Sequence, residues 1–258
     1  YKKDFKKAIH YYSLAADQKY SKAMFLLGAF YYEGHYIQQD IKKGINYIEY
    51  SANQDYNIAQ FKLGIILCEG KFIQRNANKG IYYLVQSAKN NCIHANFVLG
   101  CFYYEGKFVK QDIYKSIHYY KEASSFNDQF AKNNLGIIYK KGFSNKVPSN
   151  IMLAVEYLKE AALKKNDFLA IYNLSRIYLY DLNQIDHAVD LLFKFASHTC
   201  KSEELKKLLC FALILKNDFN RNKIEEELET QDNEIKLVIN EMIKKVNLID
   251  KKNFDREF

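Results

Sequence analysis

Few residues in this chain have the types and spacing that catalysis or metal binding requires. The nearest candidate is Gly64-x5-Gly70-Lys71, which resembles a phosphate-binding loop and returns 36 residues later. A phosphate loop has four residues between its first glycine and its Gly-Lys pair, and Ser or Thr follows the lysine. Here the spacer is one residue longer and Phe72 follows Lys71. The motif therefore does not predict nucleotide binding.

Cysteine and histidine do not form a recognisable site either. The five cysteines are an odd number, and none recurs with a fixed period. His198 and Cys200 are close in sequence, but no third residue marks a catalytic set. We therefore predict reduced thiols and a cytoplasmic location. We also predict no catalytic residues, no metal site and no cofactor, so that the chain is not an enzyme.

Composition restricts the classes of partner. The net charge is +8, and residues 61–120 carry eight Lys or Arg against three Asp or Glu. This excess is mild and forms no basic stripe, which argues against nucleic-acid binding. No apolar run approaches the roughly 20 residues needed to span a bilayer, so no membrane insertion is predicted.

A 36-residue period organises most of the chain. It is carried by a Leu-Gly pair at Leu27-Gly28, Leu63-Gly64, Leu99-Gly100 and Leu135-Gly136. Each of these glycines has an Ala five residues before it and a second Gly six residues after it. The period also relates Tyr11, Tyr47, Tyr83 and Tyr119. A period of this length predicts a solenoid, in which each repeat buries its apolar face against its neighbours.

Each repeat is predicted to contain two helices. The first carries apolar residues at helical spacing and ends at the second Gly, which enters the left-handed conformation without steric cost. The next helix begins after an Asp or Asn N-cap, at Asp40, Asn76, Asp112 and Asn150. We expect helices near residues 20–33, 40–52, 56–69, 76–88, 92–105, 112–124, 128–141, 150–164 and 167–180. Gly inside the first helix costs about 1 kcal/mol against Ala, which predicts the close approach of a neighbouring helix there.

The pattern Ala-x3-Leu-Gly-x2-Tyr-x2-Gly, followed by a short loop and Asp, resembles the Sel-one-like repeat, a relative of the tetratricopeptide repeat. The resemblance implies an all-α fold, a right-handed solenoid of stacked antiparallel helix pairs. It also implies a scaffold or adaptor that binds a protein or peptide in its concave groove. The alternative is a regulatory or targeting segment of a larger protein, since relatives serve in ubiquitin-ligase complexes, beside kinase domains and in host interaction.

The repeats are predicted to occupy residues 1–196. They comprise a partial first repeat, four clear repeats and a degenerate one, in which Ser175 and Asp181 replace the two glycines. Residues 197–258 leave the period and are predicted to form a helical C-terminal cap or extension, with helices over 203–216 and 235–249. The alternative for this segment is a helix offered to a partner.

A second stripe runs along the first helix of each repeat, beside its core face, with spacings of 3, 4 and 3 residues that place it on one helical face. By resemblance to tetratricopeptide repeats, this stripe lines the groove. The alternative is tighter packing that buries it. The groove is predicted to contain Lys22, Phe25, Tyr32, Phe61, Ile65, His94, Phe97, Tyr104, Asn133, Lys140, Tyr172 and Arg176. The sequence leaves the oligomeric state open.

Overall fold

The computed structural model describes residues 4–143, 146–162, 167–199 and 203–217, together with Ile224, Leu228 and Ile239. Within these ranges the chain forms twelve α-helices and no β-strand, although Phe143 and Val147 form an isolated bridge. The helices are α1 (Phe5–Asp17), α2 (Ser21–Glu33), α3 (Ile41–Asn53), α4 (Asn57–Glu69), α5 (Ala77–Lys89), α6 (Ile93–Glu105), α7 (Ile113–Ser125), α8 (Gln129–Lys141), α9 (Ile151–Ala162), α10 (Phe168–Arg176), α11 (Ile185–Thr199) and α12 (Glu203–Lys216).

The predicted helices between residues 20 and 180 are all present, with ends that differ from the prediction by at most two residues in α2 to α9. The last of them is split, because α10 continues as a π-helical turn over Ile177–Asp181. The predicted helix over 203–216 is present as α12. The helix predicted over 235–249 lies outside the described residues.

Helix ends follow the predicted capping chemistry. The glycines that close the first helices have φ between 66° and 75°, which is the left-handed region; they are Gly34, Gly70, Gly106 and Gly142. The N-cap side chains accept backbone hydrogen bonds at the start of the second helices, as Asp40 does from the Lys43 amide at 2.9 Å. A second set of residues with a left-handed backbone conformation was not predicted. It also recurs every 36 residues, in the loops after the second helices, at Lys19, Asp55, Asn91 and Asn127.

Glycine pairs bring the two helices of a repeat into backbone contact. A Cβ built on Gly28 would lie 2.9 Å from the Gly44 carbonyl oxygen, and one built on Gly44 would lie 2.8 Å from the Gly28 oxygen. Gly64 and Gly80 form the same pair in the next repeat, at 2.9 and 2.7 Å. The close approach predicted for the first-helix glycines is confirmed. The matching glycines of the second helices were not anticipated.

The chain divides into an N-terminal unit, Tyr1–Ala131, and a C-terminal unit, Lys132–Phe258, with the boundary inside α8. In the N-terminal unit the core consists of residues at repeat positions, with Ile48, Leu84 and Leu99 fully buried. In the C-terminal unit one apolar cluster joins side chains of α9 to α12, and Ile224, Leu228 and Ile239 are buried in it.

Candidate functional site

The first helices of three successive repeats, α2, α4 and α6, share one face that is not buried in the N-terminal unit. Its members are spaced by 4, 3 and 4 residues, which keeps them on one side of each helix. We call this surface the open face, and it consists of Lys22, Leu26, Ala29 and Glu33 of α2, Ile58, Lys62, Ile65 and Glu69 of α4, and His94, Val98, Cys101 and Glu105 of α6.

Apart from Lys62, the middle of the open face is apolar. Ala29, Ile65 and Cys101 occupy the same position in successive repeats and are half-buried, and Leu26 and Val98 lie one turn before two of them. Ile58, the second residue of α4, is 44% exposed. Apolar side chains that recur on a solvent-facing surface are typical of an interaction site.

Carboxylates line the end of the open face. Glu33, Glu69 and Glu105 are the last residues of their helices, where the helix dipole already contributes negative potential. Glu33 pairs with Lys62 of the neighbouring first helix at 3.4 Å and with His35 at 3.5 Å. This edge of the open face is therefore acidic, whereas Lys22 and His94 lie at the opposite end of their helices.

The predicted Phe positions lie in the seams between successive first helices. The Phe61 ring lies 5.9 Å from the His94 ring, and the Phe97 ring lies 6.2 Å from that of Phe130. Phe25 contacts Tyr56 at 5.6 Å in the same way. All three Phe side chains are half-buried, so they support the spacing of the helices and expose only part of each ring.

The predicted Tyr positions are also half-buried. Tyr32 packs edge-on against Phe72 at 5.7 Å, and the Lys62 ammonium lies 5.3 Å from the centre of its ring. Burial raises the pKa of Tyr32, and the nearby charges of Glu69 and Glu33 raise it further. The phenol is therefore neutral at physiological pH. The backbone carbonyl of Tyr104 accepts a hydrogen bond from Gln111 at 2.7 Å.

Four predicted groove residues belong to the C-terminal unit. Their side chains contact other side chains of the same unit. Asn133 is 5% exposed and accepts a hydrogen bond from the Asn173 amide at 3.0 Å. Lys140 pairs with Asp181 at 2.8 Å. The Arg176 guanidinium lies 5.6 Å from the centre of the Tyr172 ring.

Two of the described cysteines are buried in a way that lowers the reactivity of their thiols. Burial raises the pKa of the Cys68 thiol to about 11 and that of Cys210 to about 12, and thiols are weak nucleophiles in the protonated form. The four described cysteines, Cys68, Cys92, Cys101 and Cys210, are free. Within the described ranges, no group of three or more His, Cys, Asp or Glu side chains could hold a metal ion. No helix there is both long and apolar enough to cross a membrane.

Three of the twelve open-face residues belong to the groove predicted from the sequence. They are Lys22, Ile65 and His94. The 3-4-3 spacing selected Phe25, Phe61 and Phe97 in place of Leu26, Lys62 and Val98, and it selected tyrosines in place of two of the glutamates at the helix ends. The acidic residues were missed as well. Their signal was available, because Glu33, Glu69 and Glu105 follow the 36-residue period and precede the capping glycines.

Comparison with known proteins identifies the repeat. The Sel1 repeat family model matches residues 1–20, 21–56, 57–92, 93–125 and 129–166. No curated protein matches the chain. The degenerate repeat proposed from the sequence after residue 166 lies outside these matches.

Two solved structures have a similar fold. One is a protective antigen of uropathogenic Escherichia coli displaying an SLR fold, with 21% identity and a TM-score of 0.72 over 81% of this chain and 44% of that one. The other is a Sel1 repeat protein from Oxalobacter formigenes, with 22% identity and a TM-score of 0.66 over 80% of this chain and 59% of that one. The chain thus spans about half the length of these relatives. The all-α solenoid predicted from the sequence is confirmed.

Proposed function

This chain belongs to the Sel1 repeat family, and on that premise we propose that it is a non-catalytic scaffold whose open face binds a segment of another protein. The observation that carries the proposal is the recurrence of half-buried apolar side chains at equivalent positions of α2, α4 and α6, namely Ala29, Ile65 and Cys101. A partner segment crossing these helices contacts one apolar position per repeat, which is how a solenoid offers an extended binding surface.

Charge supports a partner with basic residues at one end of its binding segment. The acidic edge formed by Glu33, Glu69 and Glu105 lies beside the apolar centre. Glu33 already pairs with Lys62 and His35, whereas Glu69 and Glu105 are exposed and form no ion pair with the residues that the structure describes. Complementary charge at the rim of an interface mainly increases the association rate and fixes orientation.

The proposal also covers the end of the chain. We propose that the segment from residue 197 caps the repeats and that partner binding does not require it. Leu208, Leu209 and Leu213 of α12 are buried in the same cluster as α10 and α11, which supports a role in packing.

The test uses a displayed library of random 16-residue peptides selected on the intact chain. We expect the selected peptides to share spaced apolar residues and Lys or Arg. They should bind more weakly to a double variant, Ile65→Gln and Val98→Gln, by about tenfold or more, because hot-spot truncation costs at least 1–2 kcal/mol. Gln retains helix propensity, so circular dichroism should be unchanged.

A matched control separates the open face from the rest of the surface. Tyr82 is 58% exposed on the second helix α5, and Tyr82→Gln should leave peptide binding unchanged. The open face would not be the binding site if Tyr82→Gln weakened peptide binding as much as the double variant does. The same would follow if the double variant bound the peptides as tightly as the parent protein. Selected peptides rich in Asp and Glu would contradict the role given to the acidic edge.

A further inference from the structure

The N-terminal unit has a cleft that is separate from the open face. This cleft, of about 630 Å³, lies between α3, α4 and the loop that leads into α5. Ile45, Leu63, Leu67 and Ile73 line it with apolar surface, and the exposed Lys42 and Lys79 stand at its edge. Its volume is in the range of about 300–1,000 Å³ that ligand pockets have. No residue of the open face lines it.

The cleft lies where one repeat departs from the pattern of the others. Leu67 occupies the position at which the other clear repeats have tyrosine. Each of those tyrosines stacks on a tyrosine of the second helix at 5.7–6.1 Å between ring centres, in the pairs Tyr31–Tyr47, Tyr103–Tyr119 and Tyr139–Tyr157. The Leu67 side chain is smaller than tyrosine and leaves room there.

The lysine that accompanies this tyrosine is retained. Lys43 lies 4.2 Å from the centre of the Tyr31 ring, and the equivalent Lys115 lies 5.2 Å from the Tyr103 ring. In the repeat formed by α4 and α5 the equivalent residue is Lys79, which lines the cleft. Lys79 lies 5.8 Å from the centre of the Tyr83 ring and pairs with Glu49 at 2.8 Å, and it also borders the cleft.

A second aromatic position is changed one residue earlier in α4. Ile66 stands where the neighbouring repeats have Phe30 and Phe102. In those repeats the loop aromatics Tyr36 and Phe108 have left-handed backbones and pack on these Phe rings, at 6.3 and 4.9 Å. Phe72, their equivalent, has no positive φ and turns its ring toward Tyr32. Helix α4 thus lacks two aromatic rings that α2 and α6 carry, while Phe72 lines the cleft.

We propose that the cleft receives an aromatic side chain from a partner protein, with a carboxylate next to it in the partner. The ring takes the place that tyrosine takes in the adjacent repeats, with Lys79 beside its face, an arrangement that attracts a cation to the ring quadrupole. The carboxylate is favoured by charge, because Glu49 pairs with Lys79 at 2.8 Å but Lys42 at the edge is exposed. This proposal does not depend on the function of the open face.

The test uses three blocked tripeptides as probes, Asp-Phe-Asp, Asp-Leu-Asp and Lys-Phe-Lys, in ¹H–¹⁵N NMR titrations of the intact chain. We expect Asp-Phe-Asp to shift the amides of Leu63, Leu67 and Lys79. Asp-Leu-Asp should bind at least about fivefold more weakly because it lacks the aromatic ring. Lys-Phe-Lys should also bind at least about fivefold more weakly because its charges are reversed. Equal shifts by Asp-Leu-Asp, or no shifts by Asp-Phe-Asp, would overturn the proposal.

Leu67→Tyr tests the cleft itself, since it restores the residue of the adjacent repeats. It should abolish the shifts, whereas Leu26→Gln on the open face should leave them intact. If Leu67→Tyr does not fold, Lys79→Met provides the test, since it keeps the stem and removes the cation, and it should weaken Asp-Phe-Asp binding. Shifts that persist in these variants would refute the site. A dimer in sedimentation velocity that Leu67→Tyr dissociates would also refute it, because the occupant would then be a second copy of the chain.

Discussion

Gly44→Ala should destabilise the protein although alanine is the better helix former. A Cβ at this position would lie 2.6 Å from the Tyr32 amide nitrogen, 2.8 Å from the Gly28 carbonyl oxygen and 2.9 Å from the Tyr32 Cα. All three atoms belong to the backbone of α2, so no side chain can rotate to make room. The two helices must therefore separate, and contacts along the whole pair weaken.

Two opposing effects determine how much Gly44→Ala changes the free energy of unfolding. Overpacking of this kind costs about 1–3 kcal/mol, and the change from Gly to Ala in a helix returns at most about 1 kcal/mol. We therefore expect a net loss of about 1–2 kcal/mol in the free energy of unfolding. Urea denaturation followed by circular dichroism at 222 nm measures it. Asn46→Ala is the control, because Asn46 is exposed on the same helix and its change should stay within about 0.5 kcal/mol.

A double-mutant cycle with Gly28→Ala tests the explanation. Once one added Cβ has separated the helices, the second causes less steric overlap. The loss in free energy of unfolding of the double variant should therefore be smaller than the sum of the two single losses by at least about 0.5 kcal/mol. A Gly44→Ala variant as stable as the parent would show that the helices do not approach as described. Strict additivity would show that the two glycines do not share one contact.

Three further outcomes are expected. In the native protein at pH 8, Cys68 and Cys210 should react with a thiol reagent far more slowly than free cysteine, because burial raises each pKa and leaves little thiolate; their rates should rise with pH, and fast labelling at pH 8 would contradict this. Lys19→Asn should raise the free energy of unfolding by a few tenths up to about 1 kcal/mol, since Lys19 has φ 63° and Asn tolerates the left-handed region; a lower urea midpoint would argue against it. Asp40→Ala should lower the free energy of unfolding by about 1 kcal/mol through the lost N-cap, and an unchanged urea midpoint would show that the Lys43 amide does not depend on this cap.

Much of the fold could be predicted because the information is local and repeated. The cap at Gly70 and the N-cap at Asn76 depend on the conformational freedom of one residue and on one short hydrogen bond. These features set helix ends without knowledge of the neighbours. The left-handed residues Lys19 and Asp55 escaped notice because neither is glycine, so their backbone conformation has no strong residue signature.

The site was harder to predict because it depends on how each helix is rotated about its axis. Phe61 and Lys62 are adjacent in sequence, and hydrophobicity alone favours Phe61 as the binding residue. The contact of Phe61 with His94 on the next first helix places its ring in the seam between helices. That contact joins residues 33 positions apart. Periodicity suggests it but does not determine it.

The difference between contacts within a repeat and contacts between repeats has a mechanical consequence. Within a repeat, helices meet backbone to backbone at the glycine pairs, and the Ser51 hydroxyl donates to the Ser21 carbonyl at 2.7 Å. Between these repeats, hydrogen bonds join the ends of side chains, for example from Lys79 to Glu49 and from the Tyr83 hydroxyl to Asn53. Under a stretching force we therefore expect neighbouring pairs to separate before a pair opens, so that extension proceeds in steps. Each pair that then unfolds would release one 36-residue segment, roughly 120 Å of extended chain.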